Sequence, residues 1–272
     1  MLNFTRRETL TAILASGAAA FAREAEAAGS VIRLGFLLVN DVYRMSENAD
    51  RRGGLPRFAA VVAAERARAQ AENRRLICVH AGDTLSPSVM STLDQGAHMI
   101  ELFNDAGIEY FTPGNHEFDF GRDVYLQRMG EARFSILAAN LRDSAGQKLP
   151  HHEDQVLIDV NGLKLALIGS AYDASPSASR PGDLVFAPTF QTVNDAAKIA
   201  KGAGADFIVA IVHADKATGG ALMDAHSVDF ILSGHNHDLH IDFDGRTGLM
   251  ESQQDANYVS IVDIDIAVPR PW

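Results

Sequence analysis

Five apolar runs in this chain break off at residues able to bind a metal ion, and that recurrence limits the folds open to it. Residues 31–39 end at Asn40-Asp41, residues 76–80 at Ala81-Gly82-Asp83, and residues 108–111 at the loop reaching Asn115-His116. Residues 207–212 end at His213, and residues 230–233 at Gly234-His235-Asn236-His237. Short apolar runs bounded by polar turn residues read as buried strands. In α/β folds a rigid sheet holds the short loops at strand ends in fixed positions, and sites are built there.

The segments between these runs alternate. Residues 55–70, 96–105 and 193–201 carry apolar residues at helical spacing. Residues 155–160 and 163–169 flank Asn161-Gly162, a strong type I′ hairpin signal, and Asp244-Gly245 marks a weaker hairpin between residues 239–243 and 247–251. Residues 258–266 alternate as a strand, and residues 174–188, rich in Ser and Pro, form the one long irregular stretch, expected to lie over one face. Strand–helix alternation followed by hairpins argues for an α/β domain with mixed sheets rather than a purely parallel doubly wound sheet.

Composition narrows the function. Lys plus Arg number 24 against 35 Asp plus Glu, a net charge of -11, which argues against a nucleic-acid polymer as partner. The single cysteine, Cys78, excludes an internal disulfide and any multi-cysteine metal site, and it reads as a small core residue. Residues 1–28 read as a leader. Arg6-Arg7 precede an apolar stretch over residues 10–22, and Ala25-Glu26-Ala27 fits a cleavage pattern. That stretch is shorter than the roughly 20 residues a bilayer requires, so a membrane anchor is not expected. The paired arginines resemble a twin-arginine export signal, implying passage through that machinery to a periplasmic or secreted location.

The donors at the junctions are chemically mixed. A carboxylate can bridge two cations, imidazoles supply nitrogen, and an amide adds a neutral oxygen; the set suits Zn, Mn, Fe or Co rather than Ca. Alone, His213 after an apolar strand reads as a hydrogen-bonded core residue, Asp41 and Asp83 as helix N-caps, and Asn115-His116 as a turn. The other histidines take such readings: His98 and His226 beside helices, His151-His152 in a polar loop, His240 on a hairpin strand, and His80 packed behind Asp83. Arg51-Arg52 read as a solvated pair.

Taken in order, Asn40-Asp41, Gly82-Asp83, Gly114-Asn115-His116-Glu117, His213 and Gly234-His235-Asn236-His237 resemble the five signature blocks of the calcineurin-like metallophosphoesterases. Gly53-Gly54-Leu55-Pro56-Arg57 and Glu117-Phe118-Asp119-Phe120-Gly121 narrow the resemblance to the catalytic domain of the 5′-nucleotidase and 2′,3′-cyclic phosphodiesterase branch. The resemblance implies two mixed β-sheets packed face to face and flanked by helices, a four-layer α-β-β-α sandwich, over residues 29–272. It also implies two divalent cations, with Asp83 bridging, Asp41 and His237 on the first, and Asn115, His213 and His235 on the second. His116, oriented by Asp119, would protonate the leaving oxygen or stabilise transition-state charge. The implied reaction is hydrolysis of phosphate esters, nucleotide mono- or cyclic diesters, by attack of a metal-bound water or hydroxide.

Two departures qualify that pattern. The family's first block is usually Asp-x-His, whereas this chain has Asp41-Val42-Tyr43, and a phenol is a poorer ligand than imidazole at neutral pH. The first cation site is therefore expected to be weaker, to complete its shell with water, or to prefer a harder metal. The chain also stops at Trp272, where the nucleotidase branch continues into a C-terminal nucleoside-binding domain. Two alternatives follow: a thiosulfohydrolase-like enzyme sharing this domain, or a degenerate, non-catalytic metal-binding protein.

Overall fold

The apolar runs form strands, and most of them pair in parallel. The computed structural model describes residues 30–268, so the leader assigned to residues 1–28 lies outside the described residues. The first half runs β1 (Ser30–Val39), α1 (Leu55–Ala71), β2 (Arg75–His80), α2 (Ser91–Asp94), α3 (Ala97–Ala106), β3 (Tyr110–Phe111), α4 (Arg122–Glu131) and β4 (Ser135–Leu137). Short strands β5 (Leu141–Arg142) and β6 (His152–Glu153) follow, then β7 (Gln155–Val160) and β8 (Leu163–Ser170). The second half runs α5 (Ser175–Ala178), β9 (Val185–Phe186), α6 (Thr189–Gly202), β10 (Phe207–His213), α7 (Lys216–Ala225) and β11 (Phe230–Gly234). It ends with β12 (Leu239–Phe243), β13 (Gly248–Ser252) and β14 (Ser260–Val268). Among the described residues the main body is Arg33–Ile264, and the outer ends of β1 and β14, residues 30–32 and 265–268, form a small separate unit.

One sheet has the order β14-β1-β2-β3-β4-β6 and the other β12-β13-β11-β10-β8-β7; β5 and β9 form a separate ribbon. Hairpins β7–β8 and β12–β13 are antiparallel, while β10 is parallel to both β8 and β11, so this sheet is mixed as expected. Alternation along the strands buries both faces of each sheet. Leu37, Val39 and Cys78 pack with Phe58, Val62, Met99 and Phe103 of α1 and α3. Ile168, Ala210 and Val212 pack with Val193, Ala197 and Leu222 of α6 and α7. The residues between them, among them Phe36, Leu38, Val79, Leu167 and Ile211, are equally buried on the opposite faces. There the two sheets meet closely enough that a Cβ on Gly169 of β8 would stand 2.1 Å from the Leu137 carbonyl oxygen of β4. The result is a four-layer α-β-β-α sandwich, with each buried Leu or Ile contributing about 2 kcal/mol.

Local chemistry explains the turns. Asn161 (φ 53°) and Gly162 (φ 93°) make the two-residue I′ loop, with Val160 facing Leu163. The second hairpin closes on four residues, because Asp244 Oδ1 accepts from the amides of Arg246 and Thr247 and Phe243 faces Gly248. Residues 174–188 are less irregular than their composition suggests, holding the single turn α5 and strand β9. Among the described residues no helix is long and apolar enough to cross a membrane.

His152 departs from its expected place in a polar loop. It is buried on β6, where Nδ1 faces the Pro150 carbonyl at 2.7 Å and Nε2 meets the Tyr125 hydroxyl. His80 is packed as expected, against Phe103. Burial pushes His80 down to about 3 and His152 down to about 4, so both are neutral in the fold. Between these values and 6.5 the unfolded chain binds two more protons there, and stability falls as pH drops. Glu117 opposes them: burial and the Asp83 charge raise it to about 7, so the folded chain keeps a proton that the unfolded chain releases. From these three groups the histidines outweigh the carboxyl, a contribution on the order of 1 kcal/mol lost between pH 6 and 5. Urea titrations of metal-free protein and of its His80→Gln and His152→Gln variants at those two pH values measure it, and variants with the same pH dependence as the unaltered chain would contradict the depressed histidines.

Candidate metal centre

Parallel register brings the junction loops together. Val39 faces His80 and His80 faces Phe111, so the loops carrying Asp41, Asp83 and Asn115 leave the first sheet side by side. In the second sheet His213 faces Gly234, which sets it beside the loop of His235 and His237. The loops then bond to one another. The Asp41 amide donates to the Gly82 carbonyl (2.8 Å), the Val42 amide to the Asp83 carbonyl (2.9 Å) and the His235 amide to Asp41 Oδ2 (2.9 Å).

This convergence strains the backbone. Asp41 (φ 55°), Asp83 (φ 62°), His235 (φ 105°) and His237 (φ 58°) all occupy positive φ. Such residues cost about 1–3 kcal/mol each and persist where surrounding contacts over-determine them. Close approach also dictates Gly114, where a Cβ would stand 2.1 Å from Asp83 Oδ1.

Donor atoms of Asp83, His213 and His235 lie within 4.8 Å of one another. His213 Nδ1 is 2.7 Å from the Ala81 carbonyl, a bond that holds a proton on Nδ1 and would leave Nε2 free to ligate once a cation displaces its proton. Nε2 pairs with Asp83 Oδ2 at 3.1 Å, and Asn115 Oδ1, on the loop after β3, is buried without a hydrogen-bond partner. Buried polar atoms are normally satisfied, so the unpartnered Asn115 oxygen on a loop beside that of the clustered Asp83 fits a cation at this centre. The local field agrees. Burial alone would depress His213, yet the Asp83 and Asp41 carboxylates push it up to about 10; metal-free, the pocket draws a proton where a cation would compete. The His235 ring is stacked on Tyr172, centroids 4.1 Å apart, and burial together with the His213 charge holds it below the usual imidazole value.

Asp41 and His237 are joined at 3.2 Å between Oδ1 and Nε2. Burial would raise Asp41, but His213, His237 and the His235 amide hold it well below the usual carboxylate range. The bond to Asp41 raises His237. Tyr43 enters this group directly, its hydroxyl 3.2 Å from Asp41 Oδ1, 3.3 Å from Asp83 Oδ2 and 3.1 Å from His237 Nε2. Burial and the Asp83, Asp41 and Glu117 charges raise its pKa far above the phenol range, so it stays neutral.

His116 begins a 3-10 turn, and its amide donates to Asp83 Oδ1 at 2.8 Å. Its Nδ1 lies 2.7 Å from Asp119 Oδ2. Asp119 is held in turn by the Ser179 hydroxyl at 2.6 Å and by the Ser86 hydroxyl, so the stretch expected to cover one face also anchors this pair. Burial works against protonation of His116, but the Asp119 bond and the Asp83 and Glu117 charges prevail and raise its pKa.

Other residues shaping the site had no role assigned from the sequence. Glu117 is fully buried and accepts from the amides of Asp83 (2.8 Å), Thr84 (2.6 Å), Leu85 (3.3 Å) and Gly114 (2.6 Å). Asn40 donates to Asp41 Oδ2 at 2.7 Å and accepts from the Ser252 amide, and Asp255 accepts from the Tyr43 amide. Glu117 and Asn40 stand inside the recognised blocks, but their inward orientation is set by loop path. Arg51 and Arg52 are exposed; Arg51 pairs with Glu47, and Arg52 lies over the Tyr258 ring.

Residues 34–239 match the family model described as calcineurin-like phosphoesterase, a family that implies divalent metal ions. The chain is 30% identical over 197 residues to a probable 5′-nucleotidase of Treponema pallidum, covering 71% of this chain and 33% of that one. The structure is similar to that of NAD nucleotidase from Haemophilus influenzae, with a TM-score of 0.78 at 21% identity over 89% of this chain and 48% of that one. It is similar in fold to sulfate thiohydrolase SoxB from Thermus thermophilus, with a TM-score of 0.75 at 19% identity over 84% of this chain and 53% of that one. The chain spans about a third of the length of the curated relatives it matches.

Proposed function

Because the chain belongs to the calcineurin-like phosphoesterase family, we propose that it hydrolyses phosphate esters with a divalent cation, nucleotide monoesters and cyclic diesters foremost. The observation that carries this reading is the convergence of Asp83, His213 and His235 within 4.8 Å, with the His116 amide on Asp83 and the His116 ring on Asp119. Asp83, Asn115, His213 and His235 would hold a cation, with Asp41 and His237 as the remaining donors; Mn, Zn, Fe or Co suits such a set. Bound there, a divalent cation polarises phosphoryl oxygens and makes a bound water more acidic. It also resolves the conflict between a net charge of -11 and an anionic substrate, since the ion dominates the local potential.

The chain's own residues do the rest. His116 has Nδ1 committed to Asp119, which leaves Nε2 to pass a proton to the leaving oxygen or to stabilise developing charge. Ser86 and Ser179 keep Asp119, and through it the imidazole, in one orientation. The Arg6-Arg7 leader supports export by the twin-arginine machinery to the periplasm, and residues 29–272 are the catalytic domain in this reading.

Purified protein loaded with Mn or Zn is expected to release phosphate from AMP and to open 2′,3′-cyclic AMP. It should also cleave p-nitrophenyl phosphate or its bis-ester. A chelator should abolish the activity and added metal restore it. Absence of hydrolysis across this panel with all four metals would overturn the reading, and cleavage of a thiosulfate conjugate without phosphatase activity would replace it.

A further inference from the structure

The second sheet ends on an open edge. β12 is its outermost strand, and among the described residues no strand pairs with its outer side. All five residues of Leu239–Phe243 are exposed, and apolar side chains alternate with polar ones along it. Leu249, opposite Asp242, packs with α6 and α7, so His240 and Asp242 share the helix-side face. Leu239, Ile241 and Phe243 form the other face, at 48%, 70% and 67% exposure. Three apolar side chains in a row on a free edge are a pairing template that soluble proteins seldom leave uncovered.

The backbone phase fixes which groups point outward. In an antiparallel pair, residues bonded to the neighbouring strand alternate with residues directed away from it. At the open end of the β12–β13 hairpin the Gln253 amide donates to the Asp238 carbonyl (3.0 Å). At the turn the Asp244 amide donates to the Thr247 carbonyl (3.3 Å). Residues 240 and 242, in phase with these two, bond to β13, and the N–H and C=O groups of Leu239, Ile241 and Phe243 face outward. The Phe243 amide accordingly turns to its own Asp242 Oδ1 at 2.8 Å.

This edge is complementary to itself. A second copy related by a two-fold axis through Ile241 sets Ile241 opposite its own copy, Leu239 opposite Phe243, and His240 opposite Asp242. Outward N–H and C=O groups then meet their counterparts, three apolar side chains join three more, and each imidazole faces a carboxylate. Other registers fail. A slip of one residue sets apolar side chains against polar ones. Centred on His240, the pairing sets Asp242 against Asp238; centred on Asp242, it sets that carboxylate against its own copy. In the Ile241 register Asp238 and Asp244 meet only beyond the strand ends, where Lys216 pairs with Asp238 and turn amides hold Asp244.

We propose that two copies of this chain pair antiparallel through β12, centred on Ile241, and so join their second sheets into one across a two-fold axis. The inference is independent of the catalytic reading. One strand from each copy is a narrow contact of the weak class, so the dimer forms at micromolar rather than nanomolar concentration. Being isologous, it closes at two copies.

Sedimentation velocity and light scattering on the purified full chain, over a series from low to high micromolar, are expected to show monomer giving way to dimer. Ile241→Lys sets two ammonium groups on the axis and should leave the chain monomeric at the top of the series, with an unchanged circular dichroism spectrum. His240→Glu, facing Asp242, should weaken the dimer by about tenfold, and His240→Glu combined with Asp242→Lys should restore it. A monomer throughout the series overturns the proposal. So does a dimer that survives Ile241→Lys, which places the contact elsewhere, and so do species that keep growing past two copies. A His240→Glu chain that pairs as well as the unaltered one overturns the register. Should Ile241→Lys fail to fold, the unaltered chain and the two charge variants decide alone.

Discussion

His116→Ala is expected to lower phosphate-ester hydrolysis by about two to four orders of magnitude with metal content unchanged. In the proposed mechanism the imidazole acts on substrate rather than on the ion: Nδ1 is bound to Asp119, and the contact with Asp83 is made by the His116 amide, which alanine retains. The pH profile supplies a second readout. The His116 pKa is raised in the fold, so its proton is retained above the usual imidazole value and lost as pH climbs further. Activity that depends on that proton falls on the alkaline side, and the variant should lack this limb. Asp119→Asn should move the limb to lower pH, because the amide no longer favours the imidazolium. Unchanged activity in His116→Ala would refute the role.

Glu117→Ala is expected to destabilise the protein by about 4 kcal/mol or more, a size reserved for broken buried networks. One carboxylate satisfies the amides of Asp83, Thr84, Leu85 and Gly114, and so ties the loop after β2 to the loop after β3. Truncation strands four donors in the interior, each costing about 1–3 kcal/mol if left unpaired. Glu117→Gln keeps one acceptor oxygen but turns an amide group toward these donors, and should fall between the two. Urea denaturation at pH 8, where the carboxylate is charged, measures the difference; a shift under 1 kcal/mol would remove Glu117 from the loop framework.

Much of the fold follows from local signals. The I′ hairpin at Asn161-Gly162 lies where the dipeptide places it, since two positive φ angles are a local requirement. Helices α4 and α7 carry weaker signals: α4 buries only Tyr125, Arg128 and Met129, and α7 contains Gly219 and Gly220. Neither offers the broad apolar stripe from which a helix is read. His152 misled for a similar reason, because its partner Tyr125 is remote in sequence.

By itself the sequence determined the mixed α/β order and the set of polar side chains at the strand ends, because a buried strand that stops at a polar loop is a local pattern. Only the tertiary structure decided how those side chains share their lone pairs. Tyr43 meets Asp83 and His237 across 40 and 194 residues, and Glu117 reaches back 34 residues to the Asp83 amide. Which partner each group finds depends on such distant residues, which come within hydrogen-bonding distance only when the strand-end loops converge.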